Sequence, residues 1–245
     1  MKVSFIIPAH NEAANIPDCI RSIQAEILRT HCDAEIIVAN NASTDDTEAA
    51  ARAMGSDICV INESRKSVVW ARQAGYEAST GDLIANIDAD NRLPVGWLDV
   101  VLKTFTDPHV AALSGPYIYY DLPFYMRAAT RIFYIGGYII DTLHRLFGVN
   151  SMLQGGNFVL RRSTLEAMGG YDTSIEFYGE DTDTGRRAAK VGKVIWTFKL
   201  PIYSSGRRIR EEGLLHTGLA YAINFFTVTY GGKPVTTEYK DIRNS

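Results

Sequence analysis

Short apolar runs alternate with stretches of helical spacing over residues 3–87, and that alternation confines the chain to few folds. Val3 to Ile7 is an apolar run closed by Pro8, and Asn15 to Leu28 carries Ile16, Cys19, Ile20, Ile23 and Ile27 at helical intervals. A second run covers Ala34 to Ala39, a third Asp57 to Ile61 and a fourth Leu83 to Ile87. Ser43 and Thr44 stand before Asp45 and Asp46, a helix-start signature with acids near the positive end of the dipole. Ser67 to Ala78 reads as a helix. Strands alternating with helices predict an α/β fold with a mostly parallel central sheet covered by helices on both faces.

The second half is less regular. Val110 to Tyr120 reads as one strand and Phe124 to Phe147 as an aromatic helix. "LQGGNFVLRR" reads as a loop entering a strand, followed by a short helix from Arg162 to Met168 and a "GGYD" turn. Asp181 to Lys190 starts a helix, and Val194 to Phe198 is the last strand. No linker or repeat divides the 245 residues. The expectation is a single domain, 1–245, with a nucleotide-binding half at about 1–92. An acceptor-binding half with a C-terminal helical segment takes about 93–245.

Composition excludes some classes. Hydrophobic residues at 46% and charged residues at 22% suit a globular chain with a real core. A net charge of −3 gives no global field for nucleic acid. Cys19, Cys32 and Cys59 have no metal-like spacing and read as thiols in a reducing compartment. The apolar run after Ser4 is too short for a signal peptide. No window reaches the roughly 18 to 20 apolar residues of a spanning helix. Phe124 to Val149 comes nearest, interrupted by Arg127, Arg131, Asp141, His144 and Arg145. The expected location is cytoplasmic, or peripheral to the cytoplasmic face of a membrane.

In an open α/β sheet, ligands bind beyond the carboxyl ends of the strands. Four stretches meet there: "PAHNE" at 8–12, "NNASTDD" at 40–46, the residues after Ile61, and "DADN" at 88–91. Asp88 and Asp90 would repel each other unless a cation or proton sits between them. A hard divalent ion that keeps room for substrate phosphates would settle both; a polar turn after a strand is the plainer account. Arg72 is either a solvated helix arginine or a charge partner for a phosphate or Asp88. Asn40 and Asn41 either make a turn or offer an edge to a base. Glu180, Asp181 and Asp183 either suit the helix dipole or present a general base into a cleft. Arg207, Arg208 and Arg210 are a solvated face, or hold a pyrophosphate if their segment folds back over the crevice. His216 is a structural histidine or a further metal ligand.

Five blocks in order, "FIIPAHNEAANI", "IIVANNASTDDT", "ARQAGYEASTGDLIANIDADN", "GGNFVLRRSTLEAMGGYD" and "YGEDTDTGRRAAKVG", resemble the family 2 glycosyltransferases of GT-A fold. The likeness covers roughly residues 1–200. It implies a Rossmann-like sheet, a nucleotide-diphosphate sugar donor, a divalent cation (Mg or Mn) and inversion at the anomeric carbon. Carried over, Pro8, Ala9, His10, Glu12 and Asn40 would line the nucleoside pocket. Asn40 stands where many members carry an aspartate. Arg72 would approach the phosphates or the aspartates. Asp88, Ala89 and Asp90 look like the D-x-D motif, with Asp90 the direct metal ligand. Asp181 looks like the catalytic base, with Glu180 beside it. Gly155, Gly156 and Asn157 would shape the donor-sugar and acceptor side.

"SSGRRIR" lies where processive members carry Q-x-x-R-W, without its Gln or Trp, so a single hexosyl transfer is expected. The acceptor is open: a saccharide, or a lipid-linked molecule met at a membrane surface through the apolar 124–147 segment. That segment could equally be a core helix or a homo-oligomer interface. Two rivals remain. A nucleotidyltransferase of sugar-nucleotide synthesis would want a Gly-rich basic loop, which "PAHNEAAN" is not. A non-catalytic nucleotide-binding partner protein would not need Asp88, Asp90 and Asp181.

Overall fold

The computed structural model describes residues 1–146, 152–175 and 177–236. The Phe147 end of the expected aromatic helix, Val149, the side chain of Arg145 and residues 237–245 lie outside the described residues.

Apolar β-strands lead the chain: β1 (Val3–Ala9), β2 (Ala34–Asn41), β3 (Ile58–Glu63) and β4 (Leu83–Ile87), separated by α1 (Ile16–Thr30), α2 (Thr47–Arg52) and α3 (Val68–Ala78). The second half adds α4 (Trp97–Thr104), β5 (Val110–Ser114), β6 (Tyr117–Tyr119) and α5 (Phe124–Leu146). It continues with β7 (Asn157–Arg161), α6 (Arg162–Met168), α7 (Glu180–Ala188), β8 (Lys193–Trp196), β9 (Ile202–Ser204), α8 (Arg207–Glu212) and α9 (Leu214–Gly231).

Seven strands pair in the order β3-β2-β1-β4-β7-β5-β8, all parallel except β7, which runs antiparallel to β4 and β5. The chain winds outward from β1 to β3, then returns to place β4 on the other side of β1. That reversal opens a crevice at the carboxyl ends of β1 and β4. Successive side chains of β1 serve opposite faces. Phe5 and Ile7 pack with Ile20 and Ile23 of α1 and Trp97 of α4, while Ile6 packs with Val69 of α3 and Leu165 of α6. Two buried layers therefore cover the sheet, as the apolar runs required.

Several expectations shift. The run Val110 to Tyr120 is two strands, because Pro116 has no N–H for the ladder. Beyond it β6 leaves the main sheet and pairs with β9, which follows the strand expected to be last. The N-cap of α2 is Asp46, without a side-chain cap bond; Asp45 before it accepts from the Thr47 N–H at 3.0 Å. Ser43 and Thr44 instead tie loops together: the Asn11 N–H donates to Ser43 Oγ (3.1 Å), and the Thr44 N–H to Asn11 Oδ1 (2.8 Å). The α4 segment carried no distinct signal, and the helical segment expected near the C-terminus is divided into α8 and α9. Among the described residues, no helix is long and apolar enough to cross a membrane.

Candidate active site

The Ser67 hydroxyl caps α3 by accepting from the Val69 N–H at 3.2 Å, and this sets the helix that carries Arg72. Arg72 is only 2% exposed and is the hub of the site. Its Nη2 donates to the Gly155 carbonyl at 2.6 Å and lies 3.3 Å from Asp88 Oδ1, while Nη1 lies 2.6 Å from Glu180 Oε2. Burial alone would favour the neutral guanidine. The Glu180 and Asp88 carboxylates more than offset it and raise the Arg72 pKa.

Glu180 and Asp181 open α7. Gly179 stands before them at φ 80°, left-handed backbone that favours glycine. A Cβ there would lie 2.6 Å from Val228 of α9, so this turn needs glycine twice over. Burial pushes the Glu180 carboxyl up to about 8, against the pull of Arg72 and with Asp181 adding to the rise. Burial also raises Asp181, whose Oδ1 accepts from the Thr182 N–H at 2.7 Å.

On the other wall, β4 delivers Asp88 and Asp90. Tyr117 Oη donates to Asp88 Oδ2 at 3.3 Å and accepts from the Gly156 N–H at 2.7 Å. A Cβ on Gly156 would fall 2.2 Å from Asp88 Cγ, so only glycine lets β7 enter here. The segment with Arg207 and Arg208 does fold back over the crevice. Arg207 pairs with Glu12 and, at 3.2 Å, with Asp90. Arg208 is held by Glu212 at 2.7 Å and also lines the crevice.

The resulting cavity is about 280 Å³. His10, Arg72, Asp88, Asp90, Gly155, Glu180, Asp181, Arg207 and Arg208 line it, nine of the expected residues brought together from six separate stretches. The others stand behind it. Pro8 and Ala9 are buried in β1, and Ala89 is buried in the core. Glu12 acts from beneath, through Arg207. Asn157 is a brace: its amide donates to the Gly115 and Leu200 carbonyls at 3.0 and 2.8 Å and accepts from Trp97 Nε1.

Two expectations need correction. Asn40 pairs across the sheet with Asn62 (2.7 Å), because alternation turns it away from the side its neighbour Asn41 occupies. Asn41 is the residue that lines the crevice. His216 is exposed on α9 and absent from the crevice wall, where its neighbour Thr217 sits, so the metal role expected for it has no support. Sequence reading missed Tyr117, Tyr119, Gln154, Phe177, Tyr178 and Tyr221. Tyr117 and Tyr119 alternate beyond Pro116, the one pattern that pointed to them.

Among the described residues, no group of three His, Cys, Asp or Glu side chains converges as a cation site. Asp88 and Asp90 offer two hard oxygen donors, each now facing an arginine. That set fits an ion of the Mg or Mn kind, which takes its remaining ligands from water and substrate phosphates.

The model for Glycosyl transferase family 2 matches residues 4–169. The chain belongs to that family. This family 2 chain is 30% identical over 118 residues to glycosyltransferase AglE of Haloferax volcanii, covering 46% of this chain and 38% of the relative. It is 34% identical over 101 residues to the undecaprenyl-phosphate 4-deoxy-4-formamido-L-arabinose transferase of Sodalis glossinidius, covering 38% and 30%. The chain thus spans about a third of the length of these curated relatives. The fold resembles that of the mannosyltransferase PcManGT from Pyrobaculum calidifontis in complex with GDP-Man and Mn2+. The TM-score is 0.66 at 22% identity, over 90% of this chain and 64% of the other. It also resembles glucosyl-3-phosphoglycerate synthase from Mycobacterium tuberculosis in complex with Mn2+ and UDP-Glc. Here the TM-score is 0.64 at 20% identity, over 94% and 79%. The single-domain α/β architecture with its mostly parallel sheet is the GT-A fold.

Proposed function

We propose that this family 2 chain is a non-processive glycosyltransferase. It moves a hexose from a nucleoside-diphosphate sugar to an acceptor hydroxyl, with inversion at the anomeric carbon. One observation carries the reading: a single crevice holds Asp88, Asp90 and three arginines on its donor side and the Asp181 carboxyl facing the same space.

Arg207 and Arg208, with Lys66 on the crevice wall, suit the anionic diphosphate. A Mg or Mn ion arriving with the donor would be held by Asp90 and Asp88 and would supply neutralisation of the departing charge. Arg72 holds the Asp88 carboxylate and the Gly155 carbonyl in place, so the donor side is set before substrate arrives. The acceptor oxygen bonds to the anomeric carbon from the face opposite the diphosphate. The bond from that carbon to the diphosphate oxygen breaks, and its electron pair leaves with the nucleotide. The acceptor proton passes to Asp181. Burial serves this step, since a raised carboxyl pKa makes a stronger base.

The reading extends to place. The complexes named for the fold neighbours contain GDP-Man or UDP-Glc, and one curated relative is named for undecaprenyl phosphate, a lipid. A cytoplasmic chain resting on a membrane through α5 accords with these.

The test is nucleotide binding. Titration of UDP and GDP should show binding that strengthens with Mn, and Asp90→Asn should lose that strengthening by tenfold or more. Metal-independent binding, unchanged in the variant, would remove the metal from the mechanism.

A further inference from the structure

A second cavity meets the crevice at Asp181. It lies between α5 and α9, with a volume of about 540 Å³, inside the roughly 300–1,000 Å³ of small-molecule sites. Phe133, Tyr134 and Ile140 of α5 face Leu215, Leu219 and Phe226 of α9 across it. Asp181, Gln154 and Tyr221 line both cavities, so the two spaces are continuous through the carboxyl group.

Their charges differ. The crevice carries Lys66, Arg72, Arg207 and Arg208. Among its described lining residues the second cavity carries no Lys, Arg or His, and its one ionisable acid is Asp181. A phosphate in the body of this cavity would leave water to face a carboxylate and hydrocarbon, with no cation among the described lining residues; Arg72 and Arg208 lie on the crevice side of Asp181 and Tyr221. A neutral hydroxyl would instead donate its proton toward Asp181 while an apolar body fills the space.

We infer that this second cavity is the acceptor site, and that it takes a neutral alcohol carried on a hydrocarbon body rather than a phosphate-bearing acceptor. The inference rests on the reading of Asp181 as the base. The hydroxyl oxygen bonds to the anomeric carbon, the bond to the diphosphate breaks with its electron pair, and the hydroxyl proton goes to Asp181.

The experiment uses the full chain and a neutral fluorescent probe, N-phenyl-1-naphthylamine, bound in the cavity. Octanol, decanol and dodecanol should displace it, each added methylene tightening binding about fourfold until the space is filled. Dodecyl phosphate should bind at least tenfold more weakly than dodecanol. Asp181→Asn should narrow that preference to under threefold. Gly218→Leu provides the block. Gly218 lines this cavity and not the crevice, and a Cβ on it would meet only Phe133, at 3.9 Å. Leucine also favours helix over glycine, so the fold should survive. That variant should lose probe and dodecanol binding tenfold or more while keeping Mn-dependent nucleotide binding.

Dodecyl phosphate binding as well as dodecanol, or a Gly218→Leu chain that binds the probe normally, would overturn the inference while leaving the transferase reading intact. Alcohol binding without any UDP or GDP binding would instead condemn the transferase reading, and the acceptor role with it.

Discussion

At the scale of single residues, Glu180 and Asp181 are adjacent carboxyls with different surroundings. Glu180 lies 2.6 Å from the Arg72 guanidinium, whereas the Asp181 carboxyl accepts from the Thr182 N–H and hydroxyl. A base must reach the acceptor proton, and Asp181, which lines both cavities, is placed to do so, whereas Glu180 lines only the crevice and is turned onto Arg72. Asp181→Asn should therefore lower kcat by ~10²–10⁴-fold with nucleotide affinity nearly unchanged. Glu180→Gln should do less. Transfer rates and donor titrations on both variants check this, and a dead Glu180→Gln beside an active Asp181→Asn would exchange the roles. Glu180 also predicts a pH dependence of stability. Its folded pKa, about 8, exceeds the ordinary 4.5, so the folded state favours the protonated form. The stabilisation is complete below pH 4.5 and is lost as pH rises through about 8. The chain without nucleotide should melt lower at pH 8 than at pH 5, and Glu180→Gln should flatten that fall by several degrees. An equal slope in both chains would mean that Arg72 holds Glu180 ionised throughout. Asp88, Asp90 and Asp181 stood out in the sequence because carboxylates at strand and helix ends are not needed for packing; Arg72, inside α3, stayed open between a solvated arginine and a charge partner until its burial was seen. Asn41 was not separable from Asn40, since a one-residue choice of face depends on where the strand ends.

At the scale of elements, α8 does what the sequence left open. It is one short helix, yet it brings Arg207 across the crevice onto Glu12 and Asp90. The Glu12 side chain is 1% exposed and Arg207 22%. Removing Arg207 would leave a buried carboxylate short of its cation. A fully buried pair would lose about 3–5 kcal/mol; with the arginine partly in water, about 1–3 kcal/mol is expected for Arg207→Ala. Denaturant melts measure it, and Glu12→Gln in the same chain should recover most of the loss. Full additivity of the two substitutions would show that the pair does not couple. The first four strands were readable because parallel strands buried on both faces are continuous apolar runs. The antiparallel insertion of β7 was not. Its five residues look like any buried strand, and nothing in them marks its direction. The pairing of β6 with β9 was equally hidden, since it joins segments some eighty residues apart.

At the scale of the whole molecule, the two faces of the chain have different needs. The central strands β1, β4 and β5 bury their apolar residues completely, but α5 and α9 leave large apolar side chains in water. Phe124 is 82% exposed, Ile132 69%, Leu215 84% and Leu219 64%. Exposed apolar groups scattered singly need no account; a run of them on two adjoining helices does. Leu215 and Leu219 line the cavity proposed for the acceptor, as does the half-exposed Phe133 of α5. An alcohol with a hydrocarbon body resides in lipid, so the rim of its cavity should rest where that lipid is. The net charge of −3 argues against attraction to anionic headgroups and makes apolar contact the driving force. The chain should therefore float with neutral phosphatidylcholine vesicles, and raising salt should not release it. Leu215→Glu with Leu219→Glu should cut the floated fraction at least fivefold. The described fold should be kept, because both side chains are exposed and surface changes of this kind usually shift stability by about 0.5 kcal/mol or less. Sedimentation of the unsubstituted chain in the absence of lipid supplies the opposing outcome. A dimer that dissociates in the double variant, together with no flotation, would assign this apolar face to a second copy of the chain and not to a membrane.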